Sequence, residues 1–337
     1  MTTLVRAAVL TNYLEVAQHL GLNAQALLNE VGLSKNLLQD PEHRIPIDAA
    51  VRLLENSANT SNCQTFGLRM AESRQLSDFG AVSLLLTHQR TLREALQVVV
   101  QYRHLLNDSL AIFIEEAGSM VIIREEVVTE SGTGSRQANE LAIGVMYRLC
   151  AALLGTHWKP ISVSFTHAAP DDLQVHRRVL GHKLEFNGEF NGIVCHAADF
   201  DVPNPQADPA MARYAQRFLD SLQAEQETPL VFEVRKAIYL LLPMGRATIE
   251  QIAMAMGMNV RTLQRRLEDH QATFSDLING VRCDLVIRYL ENPSYSLGRI
   301  ADMLGYSMPS SFTRWFIGQF GMPPAAWRNE HGPRKDK

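Results

Sequence analysis

The chain has 337 residues, 46% of them hydrophobic and 20% charged, which is enough to build two ordinary globular cores and excludes a disordered or fibrous chain. The formal net charge of −4 is unevenly placed: residues 228–337 hold 14 Lys/Arg against 10 Asp/Glu, and residues 1–227 hold 18 against 26. A front of net −8 and a back of net +4 exclude a uniformly basic nucleic-acid coat and predict two domains with different partners.

In chain order, Val9, Tyr13, Val16, Ala17 and Leu20 share one face of a first helix, which Gly21 stops. Short helices are predicted over 24–31 and 47–57, with Ser34 and Pro41 in loops. Thr91 with Glu94 three residues later predicts a capping box at the start of a helix over 92–106. The period then changes to two. Residues 109–115 and 120–128, separated by Gly118-Ser119, predict a hairpin. A helix over 137–154, a strand over 161–166, a helix over 171–180 and a strand over 192–196 complete a ββαβαβ order behind the helices. The front half is therefore α+β, a mixed sheet with helices. A helix over 211–222 is expected to bridge the domains as a packed linker.

Two groups of polar residues in this half could carry chemistry. Glu115-Glu116 and Glu125-Glu126 are expected on solvated strand faces. The histidines His157, His167, His176, His182 and His196 show no i, i+4 pair on a helix and no Cys or acid at ligand spacing, so structural or surface roles are expected and no metal. Cys63, Cys150, Cys195 and Cys283 form no CxxC pair, which argues against a disulfide framework and fits a reducing cytoplasm. There is no leader-like N-terminus and no run near the ~20 apolar residues of a membrane span. A cytoplasmic protein is expected.

The back half is expected to begin at Thr228-Pro229, after the polar stretch 223–227. Val231, Val234, Ile238 and Leu241 mark a helix over 230–242, closed by Pro243 and Gly245. Thr248 and Gln251 form a second capping box, opening a helix that turns Ile249, Ile252, Ala253 and Met256 inward and ends at Gly257. Asn259 caps the next helix, with Leu263 and Leu267 inward and Arg261, Gln264 and Arg265 outward. This is the pattern of a helix-turn-helix, whose second helix enters the DNA major groove. Arg can pair bidentately with guanine and Gln with adenine. The outward face could equally be a solvated basic surface, but the preceding turn favours base reading.

An amphipathic helix through Phe274, Leu277, Val281, Leu285 and Leu290 follows and is ended by Asn292-Pro293. The pattern then recurs 48 residues on. Ser296 caps, Ile300, Ala301 and Leu304 face in, Gly305 turns, and Ser307 is expected to cap the last recognition helix. One extra residue shifts the register, leaving Pro309, Ser310, Thr313 and Arg314 outward. A connecting helix of about 17 residues is roughly 25 Å long. It could set two recognition helices one DNA turn, ~34 Å, apart.

These residues carry a resemblance. Ile252-Ala253-x-x-x-Gly257, Leu263-x-Arg265-x-Leu267, Ile300-Ala301-x-x-x-Gly305-Tyr306-Ser307, Phe312-x-Arg314-x-Phe316 and the closing Phe320-Gly321-Met322-Pro323-Pro324-x-x-Trp327-Arg328 resemble the DNA-binding domain of AraC/XylS-family bacterial transcription regulators. The front half resembles the arabinose-binding type of N-terminal domain in the ornithine-regulator-like branch of that family. Its matching residues are Phe79-Gly80, Ser83-Leu84, Thr91 to Leu96, Ala198-Asp199-Phe200 and Pro203-Asn204-Pro205. The resemblance implies promoter DNA as partner, activation through RNA polymerase, effector sensing, and a homodimer formed by the front domain. It does not imply arabinose as the ligand.

Ile317-Gly318 departs from the family's basic residues after Phe316, Met308 replaces a polar or acidic residue, and Trp327 replaces the commoner Tyr. The second motif is therefore expected to add less affinity than the first. The organisation expected is a sensing and dimerisation domain over 1–205, a helical linker over 206–228, an all-α double helix-turn-helix domain over 229–330 and a polar tail over 331–337. DNA contacts are expected from Asn259, Arg261, Gln264 and Arg265 in the first motif and Ser310, Thr313 and Arg314 in the second. No motif assigns an effector-binding residue, and no cofactor is expected. No GxSxG, P-loop, GxGxxG after a strand or HExxH occurs, so the chain is not expected to be an enzyme. The alternative reading makes the front domain a ligand-independent dimerisation or protein-interaction module.

Overall fold

The structure, a computed structural model, describes residues 3–130, 132, 135–155, 157–222 and 229–331. The expected polar stretch at 223–227 with Thr228, and the tail from 332 onward, lie outside these residues. The chain divides into two units, residues 1–227 and 228–337.

The front unit opens with β1 (Leu4–Arg6), α1 (Tyr13–His19), α2 (Ala24–Glu30) and β2 (Arg44–Pro46). β1 and β2 pair antiparallel with Val5 opposite Ile45. Neither strand was anticipated, because three residues carry too little alternation to register as a period. α3 (Ile47–Ser61), α4 (Phe66–Glu72), α5 (Val82–Thr87), α6 (Leu92–Gln101) and α7 (Arg103–Leu106) follow. The single helix expected over 92–106 is thus two, broken at the fully buried Tyr102, whose hydroxyl donates to Asp220 Oδ1 at 2.7 Å. Only half of the capping box expected at Thr91 forms. Thr91 Oγ1 accepts from Glu94 N–H at 3.3 Å, but the Glu94 carboxylate accepts from Arg90 N–H at 3.0 Å and pairs with the Arg90 guanidinium.

The remaining front elements are β3 (Leu110–Ala117), β4 (Met120–Val127), α8 (Arg136–Leu154), β5 (Ser162–Ser164), α9 (Gln174–Leu180), β6 (Leu184–Glu185), β7 (Gly192–His196) and α10 (Pro209–Leu222). The expected hairpin forms, with Leu110 opposite Val127 and Ala117 opposite Met120. The five-stranded sheet runs β3-β4-β7-β5-β6 and is antiparallel except for β5 and β6. The order is ββαβαββ. The strand missed, β6, has two residues and no apolar alternation.

Helix α8 packs against both the sheet and helices α3 and α4, so its apolar surface runs nearly all round. Small residues let α4 approach it closely. A Cβ added at Gly67 would collide with the Gln137 carbonyl oxygen, and one at Gly144 with the Ala71 side chain. Gly67→Ala would gain about 1 kcal/mol in helix propensity and lose about 1–3 kcal/mol to overpacking. Because the obstacle is backbone, which cannot swing aside, overpacking wins. The expected result in differential scanning calorimetry is a front-unit transition roughly 2–8 °C lower, and an unchanged or raised transition would contradict the close crossing.

The expected solvated faces of the paired glutamates hold only for Glu116 on β3, since Glu115 is half-buried. Glu115 pairs with Arg124 at 3.0 Å, and Glu116 with Arg93. On β4, Glu125 and Glu126 are 2% and 7% exposed, since this end of the strand is covered and not washed by solvent. Helix α10 buries Ala215 and Leu219 and packs beside α5, within the unit of residues 1–227. Beside that buried edge, on the adjoining side of the helix, Met211, Tyr214, Phe218 and Leu222 are each between 41% and 66% exposed.

The back unit is all α: α11 (Leu230–Leu241), α12 (Ile249–Ala255), α13 (Val260–Asp269), α14 (Phe274–Glu291), α15 (Leu297–Met303), α16 (Pro309–Phe320) and α17 (Pro324–His331). The central helix α14 has 18 residues, about 27 Å at the usual rise. It buries Val281, Leu285, Val286, Tyr289 and Leu290 and packs against α11, α15 and α17. Among the described residues no helix is long and apolar enough to cross a membrane.

Candidate nucleic-acid interface and front-unit cavity

The first motif begins with the reciprocal box expected at Thr248. Gln251 N–H donates to Thr248 Oγ1 at 3.3 Å, and Thr248 N–H to Gln251 Oε1 at 3.2 Å. Ile252 and Ala253 are buried, while Ile249 and Met256 are only half-buried. The helix exits through Gly257 at φ 65, a left-handed geometry that strains residues with a Cβ. Asn259 Oδ1 accepts from Thr262 N–H at 2.8 Å and starts α13. Leu263 and Leu267 pin that helix to the unit, leaving Arg261, Gln264, Arg265 and also Arg266 exposed. Among the described residues neither Arg261 nor Arg265 has an ion-pair partner. Their guanidiniums are free to meet phosphate or a guanine edge.

The second motif is built on similar lines with a different core. Ser296 Oγ accepts from Arg299 N–H at 3.1 Å, and Ile300, Ala301, Met303 and Leu304 are buried. Helix α16 starts one residue later than expected. Its N-cap is Met308, not Ser307, and no side chain caps it. Pro309 at the first helical position explains the tolerance, since proline has no N–H to leave unpaired there. Phe312 and Phe316 are buried among Tyr306, Trp315 and Phe320, with Phe316 and Phe320 stacked at 4.4 Å. Ser310 and Arg314 are exposed, but Thr313 is half-buried and spends its hydroxyl on the Pro309 carbonyl at 3.0 Å. Met308 and Ile317 add 58% and 41% exposed apolar surface to this helix.

Several basic residues counted toward the positive charge of this half work internally. Arg282 Nε donates to the Leu304 carbonyl at 2.9 Å, closing the end of α15, and its guanidinium lies 4.4 Å over the Tyr306 ring. Arg328 donates to the carbonyls of Leu290 and Tyr295 at 3.1 and 2.8 Å, tying α17 to the end of α14. Arg235 pairs with Asp284 at 2.7 Å, and Lys236 with Glu233 at 2.6 Å. Sequence reasoning missed these clamps because one-dimensional spacing does not reveal a cation folded onto a helix C-terminus.

The front unit contains a cavity of about 130 Å³. A cavity of about that size admits a molecule such as benzene. Val51 and Leu54 from α3, Val99 from α6, Ile112 from β3, and Leu141 and Val145 from α8 form much of its wall. Arg6, Arg74 and Glu125 are among its polar lining residues. Arg6 is held by Glu42, and Arg74 donates to the carbonyls of Ala8 and Val9 at 2.7 and 2.8 Å. Burial lowers Arg74 to about 10, so it stays charged at neutral pH. Burial pushes the Glu125 carboxyl up to about 8, so at neutral pH it is mostly protonated.

Behind α8, His167 and His176 bring Nε2 to within 3.1 and 3.4 Å of Glu140 Oε1. Burial acts to raise Glu140, but the two histidines outweigh it and hold the carboxyl down at about 2. His157, His182 and His196 are exposed. The buried His176 and half-buried His167 therefore serve the fold around Glu140, and sequence spacing could not have paired them.

Residues 21–204 match the family described as the arabinose-binding domain of AraC transcription regulator, N-terminal, and residues 252–330 match the helix-turn-helix domain family. The chain belongs to the AraC family of transcription regulators. HTH-type transcriptional regulator VirS of Mycobacterium tuberculosis is 29% identical to this regulator over 328 residues, covering 97% of this chain and 96% of its own. The ornithine utilization regulator of Pseudomonas aeruginosa is 22% identical over 327 residues, with 96% of each covered. Among solved structures, transcriptional regulator CdpR from Pseudomonas aeruginosa aligns over 93% of this chain and 98% of its own at 16% identity and a TM-score of 0.45. The regulator is thus a DNA-binding protein, not an enzyme, and promoter DNA is its partner.

Proposed function

We propose that this regulator acts in the cytoplasm as a homodimer, each protomer setting α13 and α16 into successive major grooves of promoter DNA, under control of a small molecule bound in the front-unit cavity. The observation that carries the DNA reading is the outward face of α13, where Arg261, Gln264 and Arg265 stand exposed and, among the described residues, unpaired over the packed Leu263 and Leu267. Asn259, although used as a cap through Oδ1, keeps its amide N–H groups for phosphate. Ser310 and Arg314 carry the second contact, with Thr313 in a lesser part. Activation through RNA polymerase is the family expectation that completes the reading.

Dimerisation is supported by the exposed stripe of Met211, Tyr214, Phe218 and Leu222 on α10, spaced as one helical face. A symmetric pair buries that same stripe twice. The ligand-independent alternative would leave the cavity without a role.

A dimer carries four helix-turn-helix elements, so footprinting is expected to show two copies of a bipartite site. Phe218→Glu should halve the mass measured by sedimentation and reduce protection to one copy, about 20 bp or two helical turns. Wild-type protection of one such segment alone would refute the dimer.

A further inference from the structure

We infer that the front-unit cavity is built for a neutral, largely apolar molecule carrying a hydroxyl group, seated on the Glu125 carboxyl. This rests on reading the cavity as the effector site. On β4 the inward row is Ile123, Glu125 and Val127, and Ile112 is the cross-strand partner of Glu125. An aliphatic residue would suit that row as well as its neighbours do. Instead a carboxyl stands there, 2% exposed, with neither oxygen hydrogen-bonded among the described residues. Leaving such a group unsatisfied costs about 1–3 kcal/mol.

The neighbouring residue shows what the fold does when a buried carboxylate is structural. Glu126 receives the side-chain amides of Asn139 at 3.2 Å and Asn191 at 2.9 Å. Glu125 receives nothing and lines the cavity.

The charge of the lining selects the ligand. Arg6, Arg74 and Arg103 put three guanidiniums into the wall against the one further acid, Asp78, which disfavours a cation. All three are already engaged, Arg6 by Glu42, the Arg74 Nη atoms by two carbonyls and Arg103 by the Val100 carbonyl at 3.1 Å, so none offers the open fork that grips a carboxylate. One buried donor, Arg74 Nε, is left without an acceptor. A hydroxyl both donates and accepts, and so complements a carboxyl and a stray N–H without adding charge. The apolar remainder of the ligand fills the space among Val51, Leu54, Leu141 and Val145.

The test uses four probes of one shape: cyclohexanol, cyclohexane, cyclohexylammonium and cyclohexanecarboxylate. Each is titrated into the full-length protein and followed by ligand-observed NMR. Cyclohexanol is expected to bind most tightly. Its affinity should fall about tenfold in Glu125→Leu and change little in Glu125→Gln. Cyclohexane should bind both variants and wild type alike. Circular dichroism and thermal melting verify that each variant folds, and Glu125→Gln keeps the comparison valid if the leucine variant does not. Tighter binding of the hydrocarbon, the ammonium or the carboxylate, no cyclohexanol binding, or a Glu125→Gln loss as large as that of Glu125→Leu would overturn the proposal. Operator affinity is measured in parallel. Cyclohexanol bound through Glu125 with operator affinity unchanged would count against front-unit control while leaving the site intact. An absence of binding would remove the site and leave control by another route open.

Discussion

Arg265→Ala is expected to weaken operator binding roughly 10- to 100-fold, and Arg314→Ala to weaken it by less. The larger figure corresponds to losing one bidentate base contact, worth about 1–3 kcal/mol, where 1.4 kcal/mol is a factor of ten. Helix α13 has the better equipment for such contacts. It begins with a side-chain cap from Asn259 and exposes Arg261, Gln264, Arg265 and Arg266 together. Helix α16 begins at an uncapped Met308, has Thr313 turned to its own backbone, and shows apolar Met308 and Ile317 where cations would add affinity. Removing Arg265 should also relax discrimination at one base pair, while removing Arg314 should act more evenly and reduce the salt slope by about one. Fluorescence-anisotropy titrations of both variants at several salt concentrations decide the matter. An equal or larger loss in Arg314→Ala would sink the proposed ranking of the two motifs.

The front unit is expected to lose stability as pH rises from about 5 to 8, the reverse of the ordinary behaviour of paired carboxylates. Burial raises Glu125 to about 8. Burial also raises Glu55 to about 7, against the lowering effect of the Gln137 backbone N–H and Arg136. Unfolded, both would titrate at the usual glutamate value. Between the two values the native state holds more protons than the unfolded state, so unfolding free energy falls with increasing pH. Each group can contribute up to about 1.4 kcal/mol per pH unit, and for Glu125 the full span is on the order of 3–5 kcal/mol. Glu140 works in the opposite sense. Its carboxyl is held at about 2, so its contribution is present above the ordinary glutamate range and lost as pH falls toward 2. Maximum stability should therefore lie near pH 5. Glu125→Gln removes one proton-linked step and should flatten the decline above pH 5, leaving the mutant more stable than wild type at pH 8. Urea unfolding followed at pH 5, 6.5 and 8 would show it, and parallel wild-type and mutant curves would rule it out.

Where the period was long or the turn chemistry strong, the elements were legible in advance. The hairpin of β3 and β4, the helix α8 and both helix-turn-helix units were marked by alternation, helical spacing, Thr248, Asn259, Ser296 and the two turn glycines. Strands β1, β2 and β6 were not, because two or three residues held by pairing leave no periodic trace. The start of α16 was misplaced by one residue because Ser307 looked like a cap, whereas Pro309 removes the need for one. The outward residues of α13 were readable because a helix face follows from spacing alone.

What the sequence by itself determined is the family, the α+β and all-α halves, and the outward face of α13, since all of these rest on interactions between residues close along the chain. Tertiary structure alone decided which charges are available. It turned Arg282 and Arg328 inward onto helix ends, converged His167 and His176 on Glu140, and left Glu125 without a donor inside an apolar cavity. Burial and long-range pairing set those outcomes, through desolvation and through partners up to dozens of positions away. A charge written in the sequence carries no sign of whether water or another side chain will meet it.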